Sequence, residues 1–183
     1  MGVKYSTPFT FDEINSVLEY RDDGYLYWKV QRSRVRIGGR AGSSENKHGT
    51  GYWTVTYKGI VLASYRVVWL LCKGEWPMMA VDHKDGDLSN NSIGNLRLAT
   101  NSQNSGNSKP SRADRYKGVW YPQDHPEERT SRYWVQCANI QLGSFESAEE
   151  AALAYDVAAL ERWGEFARFN LLSDFDRGLF STE

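Results

Sequence analysis

The chain has 183 residues, 14% of them aromatic with seven Trp and eleven Tyr, and a formal net charge of −1. That length holds one medium domain or two small ones, and so aromatic a composition excludes a disordered tail. With no run of eighteen apolar residues and no apolar core within Met1–Pro8, neither a membrane span nor a signal peptide is predicted.

In chain order, Phe11–Glu19 has the spacing of a short amphipathic helix, with Thr10 or Asp12 placed to cap it. Gly24–Val30 follows an Asp-Asp-Gly turn and reads as an aromatic, β-branched strand. Gln31–Thr50 is polar, Gly-rich and basic, and is predicted to be a long mobile loop. Arg32, Arg34 and Arg36 alternate there, so an extended backbone would present all three on one side, with Arg40 beyond them. Tyr52–Tyr57 and Ile60–Ser64 read as a hairpin about the two-residue turn Lys58-Gly59. Ser64–Lys73 is helical by periodicity and is stopped by Gly74 and then Pro77.

The net charge alone argues against nucleic-acid binding, but its distribution argues for it. Residues 29–73 hold nine Lys and Arg against Glu45 alone, a net of +8, whereas residues 145–183 hold nine Asp and Glu against three Arg, a net of −6. Such asymmetry suits a basic face for phosphates, with acidic helices turned away; a solvated charge run is the plainer alternative. Cys72 and Cys137 stand far apart with no C-x-x-C, which points to a reducing compartment, no disulfide frame and no structural zinc.

Residues 81–104 carry the chemistry. Asp82 and His83 are followed by a polar, turn-rich loop, by Asn95 twelve residues after the histidine, and by Asn104 nine residues later. His83 would end a strand, 95–100 would return beside it, and Asn101 onward would start a helix, so that residues of three elements share one face. Hydrolysis of a phosphodiester needs a water made nucleophilic and a cation on the phosphoryl and leaving oxygens. A neutral imidazole, with an ordinary pKa of about 6.5, suits the base. An Asp carboxylate with an Asn carbonyl is a hard, oxygen-only pair that suits Mg²⁺ or Mn²⁺ rather than Zn²⁺ or Cu²⁺. Asp85 and Asp87, on either side of Gly86, read as turn formers.

Asp82-His83, Asn95-Leu96-Arg97 and Gln103-Asn104 at this spacing resemble the HNH endonucleases of the ββα-metal kind, in the branch where asparagine replaces the last histidine. The resemblance implies metal ligands at Asp82 and Asn104 and a general base at His83. It makes Asn95 the middle asparagine of the catalytic motif, which braces the loop and orients the histidine. The chain departs from the pattern at Tyr65-Arg66, where relatives usually carry His-Arg ahead of a Trp-containing helix. Arg66 reads either as a phosphate clamp or as a structural arginine at the core edge.

Ser105–Arg115 has linker composition. Beyond it Tyr116–Tyr121, Tyr133–Ala138 and Ile140–Phe145 read as strands, and Ser147 with Glu150 forms a capping box ahead of a helix over Ala151–Trp163. Alanines at 151, 152, 154, 158 and 159 allow that helix to approach a sheet closely, giving a small α+β module. Tyr116-Lys117-Gly118-Val119, Trp134, Leu142–Phe145, Ala148–Ala152, Ala154-Tyr155-Asp156 and Gly164-Glu165 through Asn170 resemble the DNA-binding domain of plant ethylene-response factors. In that family the sheet lies in the major groove, which implies DNA contacts at Lys117, Trp120, Arg132, Trp134 and Gln136. Trp134 reads equally well as a core aromatic, Trp120 stands where plant members carry Arg, and Asp156, Glu161 and Glu165 read as solvated or capping.

The expected fold class is α+β: a ββα-metal nuclease domain over residues 1–108, a linker over 109–115, a three-stranded antiparallel sheet packed on one helix over 116–172, and a tail over 173–183. The expected activity is a phage homing-type DNA endonuclease that nicks or cuts both strands, with one Mg²⁺ or Mn²⁺ per active site. Arg32, Arg34, Arg36, Arg40 and Arg66 would help the second module to hold double-stranded DNA. A monomer or homodimer is expected, in the cytoplasm (that of the host, if phage-encoded). A non-catalytic, sequence-specific DNA-binding regulator is the rival reading, and a domain that binds acidic protein is the third.

Overall fold

A cap starts the first element of the computed structural model, which describes residues 8–32, 35–44, 51–124 and 131–173. Thr10 Oγ1 accepts the Glu13 amide at 3.2 Å and the Glu13 carboxylate accepts the Thr10 amide at 2.8 Å, a capping box that opens helix α1 (Phe11–Asn15). The helix stops short of the predicted Glu19. A single turn has little stability of its own, and Leu18–Tyr20 instead forms strand β1, paired antiparallel with β2 (Leu26–Trp28). That pairing sets the fully buried Leu18 opposite Trp28.

The stretch read as a mobile loop is in part built into two sheets. Strand β3 (Arg40–Ala41) joins the other edge of β2, and β4 (Ser43–Ser44) pairs with β5 (Trp53–Tyr57), which pairs in turn with β6 (Ile60–Ala63). Gly42 links β3 to β4 at φ +92°, where a Cβ would lie 2.5 Å from the Thr54 carbonyl oxygen. Arg32 and Val35 exchange backbone hydrogen bonds of 3.1 Å and so face each other. Arg34, the middle arginine of the predicted alternation, lies outside the described residues.

The predicted hairpin turn is present, with Lys58 at φ +47° and Gly59 at φ +80°. Helix α2 (Ser64–Lys73) follows and ends as predicted at Gly74, which adopts φ +82° and donates its amide to the Leu70 carbonyl at 2.8 Å. Val67, Val68 and Leu70 of α2 bury against Ile14, Leu18, Leu26, Trp28 and Val55 to make the first core. Strands β7 (Ala80–His83) and β8 (Leu96–Ala99) pair antiparallel, with Asp82 opposite Arg97 and His83 opposite Leu96.

The chain divides after Thr100 into two compact units, residues 1–100 and 101–183. Helix α3 (Asn101–Gly106) thus groups with the second unit, upstream of the 109–115 stretch that has linker composition. There β9 (Val119–Trp120), β10 (Tyr133–Cys137) and β11 (Ile140–Phe145) form an antiparallel sheet in the order β11-β10-β9. Helix α4 (Ala148–Trp163) starts from the Ser147–Glu150 capping box, and its Ala151, Tyr155, Ala159 and Trp163 pack with Val135 and Cys137 of β10 in a second core. Gly118 admits that contact, since a Cβ there would stand 2.2 Å from the Tyr155 ring. Among the described residues no helix is long and apolar enough to cross a membrane.

Asp156 differs from the sequence reading of a solvated or capping carboxylate. It is fully buried on α4 and accepts the amides of Asn170 at 2.7 Å, Leu171 at 2.7 Å and Leu172 at 3.0 Å. Asn170 in turn pairs with the backbone of Lys117, accepting its amide at 2.7 Å and donating to its carbonyl at 3.1 Å. One buried carboxylate therefore ties residues 170–172 to α4, and Asn170 carries the tie on to the Lys117 backbone ahead of β9. Asp156→Ala would leave three amides without an acceptor and is expected to destabilise the second unit by about 3 kcal/mol. Hydrogen exchange should accelerate first at Asn170, Leu171 and Leu172.

Candidate active site

The short β7–β8 hairpin places two ionisable groups where water scarcely reaches. Asp82 is 4% exposed and His83 2% exposed at the end of β7. Directly across the ladder, Arg97 Nε donates to Asp82 Oδ2 at 2.9 Å, and both side chains of this pair are shielded. His83 Nε2 lies 3.1 Å from Oδ1 of Asn91, itself 3% exposed. The Tyr65 ring on α2 meets the imidazole nearly edge-on, at a centroid distance of 5.4 Å and 75°, and Tyr52 lies 6.2 Å away. Burial, and after it the Asp82 charge, raises the Tyr52 phenol above its ordinary pKa, so Tyr52 keeps its proton beside the carboxylate.

Hydrogen bonds within residues 84–95 hold the intervening loop. Asn95 Oδ1 accepts the Asp85 amide at 3.1 Å, and its Nδ2 donates to Asp85 Oδ1 and to the Asn90 carbonyl, each at 2.9 Å. Asp85 also accepts the Asp87 amide at 2.8 Å and Asn90 Nδ2 at 2.7 Å, while Asp87 accepts the Ser89 amide and hydroxyl. Burial alone would raise the Asp85 carboxyl, but the bonds from Asp87, Asn90 and Asn95 more than offset it and hold its pKa below the usual range. Asp85 and Asp87 act here as turn formers. The Ile93 amide donates to the Tyr20 hydroxyl at 3.2 Å, fastening the loop to β1.

The basic candidates of this unit have varied settings. Arg66 donates to the Pro77 carbonyl at 3.0 Å, a bond that fits the core-edge reading. Arg32 stacks over Trp28 at 4.2 Å and donates to the Thr56 carbonyl at 3.0 Å. Arg40 is exposed and stacked on two rings, 3.3 Å from Tyr25 and 4.0 Å from Trp53. Arg36 is exposed.

In the second unit Asn104 is exposed on α3, the helix that follows β8 after the single residue Thr100. Trp163 Nε1 donates to Ser102 Oγ at 2.9 Å, Lys117 Nζ to the Ser105 and Gly106 carbonyls at 2.9 and 2.6 Å, and the Arg168 amide to Gly106 at 3.0 Å. Burial pushes the Lys117 ammonium down to about 8. Its donors serve the end of α3. On the sheet, Trp134 (39% exposed) and Gln136 point away from the buried Val135 and Cys137, and with Trp120 they line a cavity of about 690 Å³. Arg132 is held by Ser144 through bonds of 2.9 and 2.7 Å and lies 3.6 Å from Glu146.

The Asp82-His83 pair, Asn95 and the strand–loop–strand around them lie within a segment that matches a known family. Residues 65–105 match the family model described as HNH endonuclease. This segment marks the chain as a DNA-cleaving hydrolase. It runs from Tyr65 on α2 through the hairpin and into α3, so every site residue named from the HNH resemblance falls inside it. A solved structure described as "DNA binding and cleavage by the HNH homing endonuclease I-HmuI" aligns at 17% identity and a TM-score of 0.38, over 90% of this chain and 98% of that one.

Asp82, His83 and Asn95 fall in one unit and Asn104 in the other. Sequence reasoning missed Arg97 as the partner of Asp82, Asn91 as the partner of His83, and the tyrosines around the imidazole. Arg97 was within reach of strand counting, because the register puts it opposite Asp82; Asn91 sits among similar polar residues with no periodicity to distinguish it. Arg97→Met would leave a buried carboxylate without its cation and is expected to cost the first unit about 3–5 kcal/mol. Urea denaturation of the full chain checks it, and an unchanged first-unit transition would rule out a structural role for the pair.

Proposed function

We propose that this nuclease is a metal-dependent DNA endonuclease of homing HNH type, with His83 as general base, Asp82 and Asn104 as metal ligands and Asn95 as the brace of the catalytic loop. The observation that carries the reading is the buried Asp82-His83 strand end, in which each side chain is fixed by a partner of its own. A general base must be aimed before it is useful, and a ring held at its edge and flanked by tyrosines loses little freedom on reaching the reactive geometry.

His83 takes the proton of a water molecule, and the resulting hydroxide attacks phosphorus in line with the 3′ oxygen. The P–O3′ bond breaks, the departing 3′ oxygen takes a proton from solvent water, and 5′-phosphate and 3′-hydroxyl ends result. A carboxylate such as that of Asp82 and an amide oxygen such as that of Asn104 would offer the hard oxygen donors that Mg²⁺ or Mn²⁺ takes. When bound, that ion supplies positive charge to the phosphoryl and leaving oxygens. Asn95 keeps the loop closed behind the histidine through its three hydrogen bonds.

Double-stranded DNA is the proposed partner. In the first unit the exposed Arg36 and the ring-stacked Arg40 offer cations to phosphates, with Arg32, Arg34 and Arg66 as further members of the basic set. In the second unit, read as an ethylene-response-factor-like module over 116–172, the outer sheet face with Trp120, Trp134 and Gln136 is the surface offered to the groove, and Arg132 borders it. Lys117 supports α3 instead. One site per chain favours nicking by a monomer, and a double-strand break needs a homodimer or two successive cuts. A phage origin and action in the host cytoplasm accompany the homing reading and rest on the sequence resemblance.

Incubation of supercoiled plasmid with the full chain tests the metal assignment. Nicked or linear product is expected with Mg²⁺ or Mn²⁺ and none with EDTA. Asn104→Ala should shift the metal dependence at least tenfold upward. Product that persists in EDTA, or an Asn104→Ala profile equal to wild type, would contradict it.

A further inference from the structure

We infer that Asn91 sets the tautomer and direction of the His83 ring, and so is a positioning residue for proton transfer; this rests on the proposed role of His83. The HNH resemblance gives the orienting role to Asn95. In the structure the Asn95 amide is engaged elsewhere, by the Asp85 amide, the Asp85 carboxylate and the Asn90 carbonyl. Asn91 Oδ1 lies beside the imidazole, 3.1 Å from Nε2.

An amide oxygen can only accept, so this contact forms only when Nε2 carries the proton. The neutral ring then has its lone pair at Nδ1. Asn91 selects the nitrogen that takes the proton from water, and the Tyr65 and Tyr52 rings limit rotation of the imidazole from its sides.

The loop presents Asn91 to the ring and holds it there. Asn90, its neighbour, is tied at both ends, with its side chain on Asp85 at 2.7 Å and its carbonyl on Asn95 at 2.9 Å. The Asn91 amide donates to the Ser89 carbonyl at 3.2 Å. On the far side Gly24, at φ +85°, lets the β1–β2 turn approach so closely that a Cβ would stand 3.3 Å from the Ser92 amide nitrogen. Asn95 therefore acts on the histidine at one remove, by fixing the segment from which Asn91 reaches it.

The test reads the ring directly and then the reaction. Long-range ¹H–¹⁵N spectra of the full chain, with the His83 signals assigned by their loss in His83→Gln, should show an Nε2-bound proton in slow exchange with water. In Asn91→Leu, which keeps similar volume without an acceptor, that protected proton should disappear. In plasmid cleavage the same variant should lose 10- to 100-fold in kcat with KM for DNA unchanged. A wild-type ring protonated at Nδ1 overturns the inference, and so does a folded Asn91→Leu that cuts at the wild-type kcat. The tautomer readout is independent of cleavage: the Nε2 signature, lost in Asn91→Leu, supports the positioning role even if no DNA is cut, and the nuclease reading alone then fails.

Discussion

The register of two four-residue strands governs this molecule's candidate chemistry. With Asp82 opposite Arg97 and His83 opposite Leu96, the carboxylate gains a charge partner across the ladder and the histidine ends its strand against a buried Leu96. A slip of one residue would turn every side chain of one strand to the opposite face. Asp82 would then be a buried charge without its guanidinium, which is among the more destabilising local changes a small fold can suffer. The ion pair and the register therefore specify each other, and the position of His83 follows from both.

The loop that closes the hairpin solves a different problem. Residues 84–95 are too polar to pack as a core, so their order comes from hydrogen bonds: Asp85 binds Asp87, Asn90 and Asn95, and Asp87 binds Ser89. The second unit uses the same device on a different segment, where buried Asp156 gathers three consecutive amides and Asn170 pairs with the Lys117 backbone. In both places a carboxylate with several amide donors replaces apolar contact as the means of fixing irregular chain.

What the sequence disclosed and what it hid divide along the range of the interactions. The Lys58-Gly59 turn, the Gly74 stop of α2 and the Ser147–Glu150 capping box are local, and each appears where its residues predict. The β strands of the second unit were legible from their residues, though β9 forms over only Val119–Trp120 of the predicted Tyr116–Tyr121; their faces were not, and the structure puts Val135 and Cys137 inside and Trp134 and Gln136 outside. The truncation of α1, the inclusion of Arg40–Ser44 in sheets and the burial of Asp156 all depend on partners distant in sequence, which composition does not name. Within the site, Asp82, His83 and Asn95 were recognisable by type and spacing. Asn91 was not, because nothing in an Asn-Asn-Ser run says which amide will face the imidazole.

The central claim is that the strand end at His83 hydrolyses DNA rather than merely supporting a binding module. Cleavage and duplex affinity measured side by side, for wild type and His83→Ala on the same supercoiled plasmid with Mn²⁺ present, test it most directly. The account predicts that the variant binds duplex as wild type does and loses cleavage by at least a hundredfold, in keeping with the contribution of a positioned general base. A His83→Ala protein that cuts at the wild-type rate would contradict it.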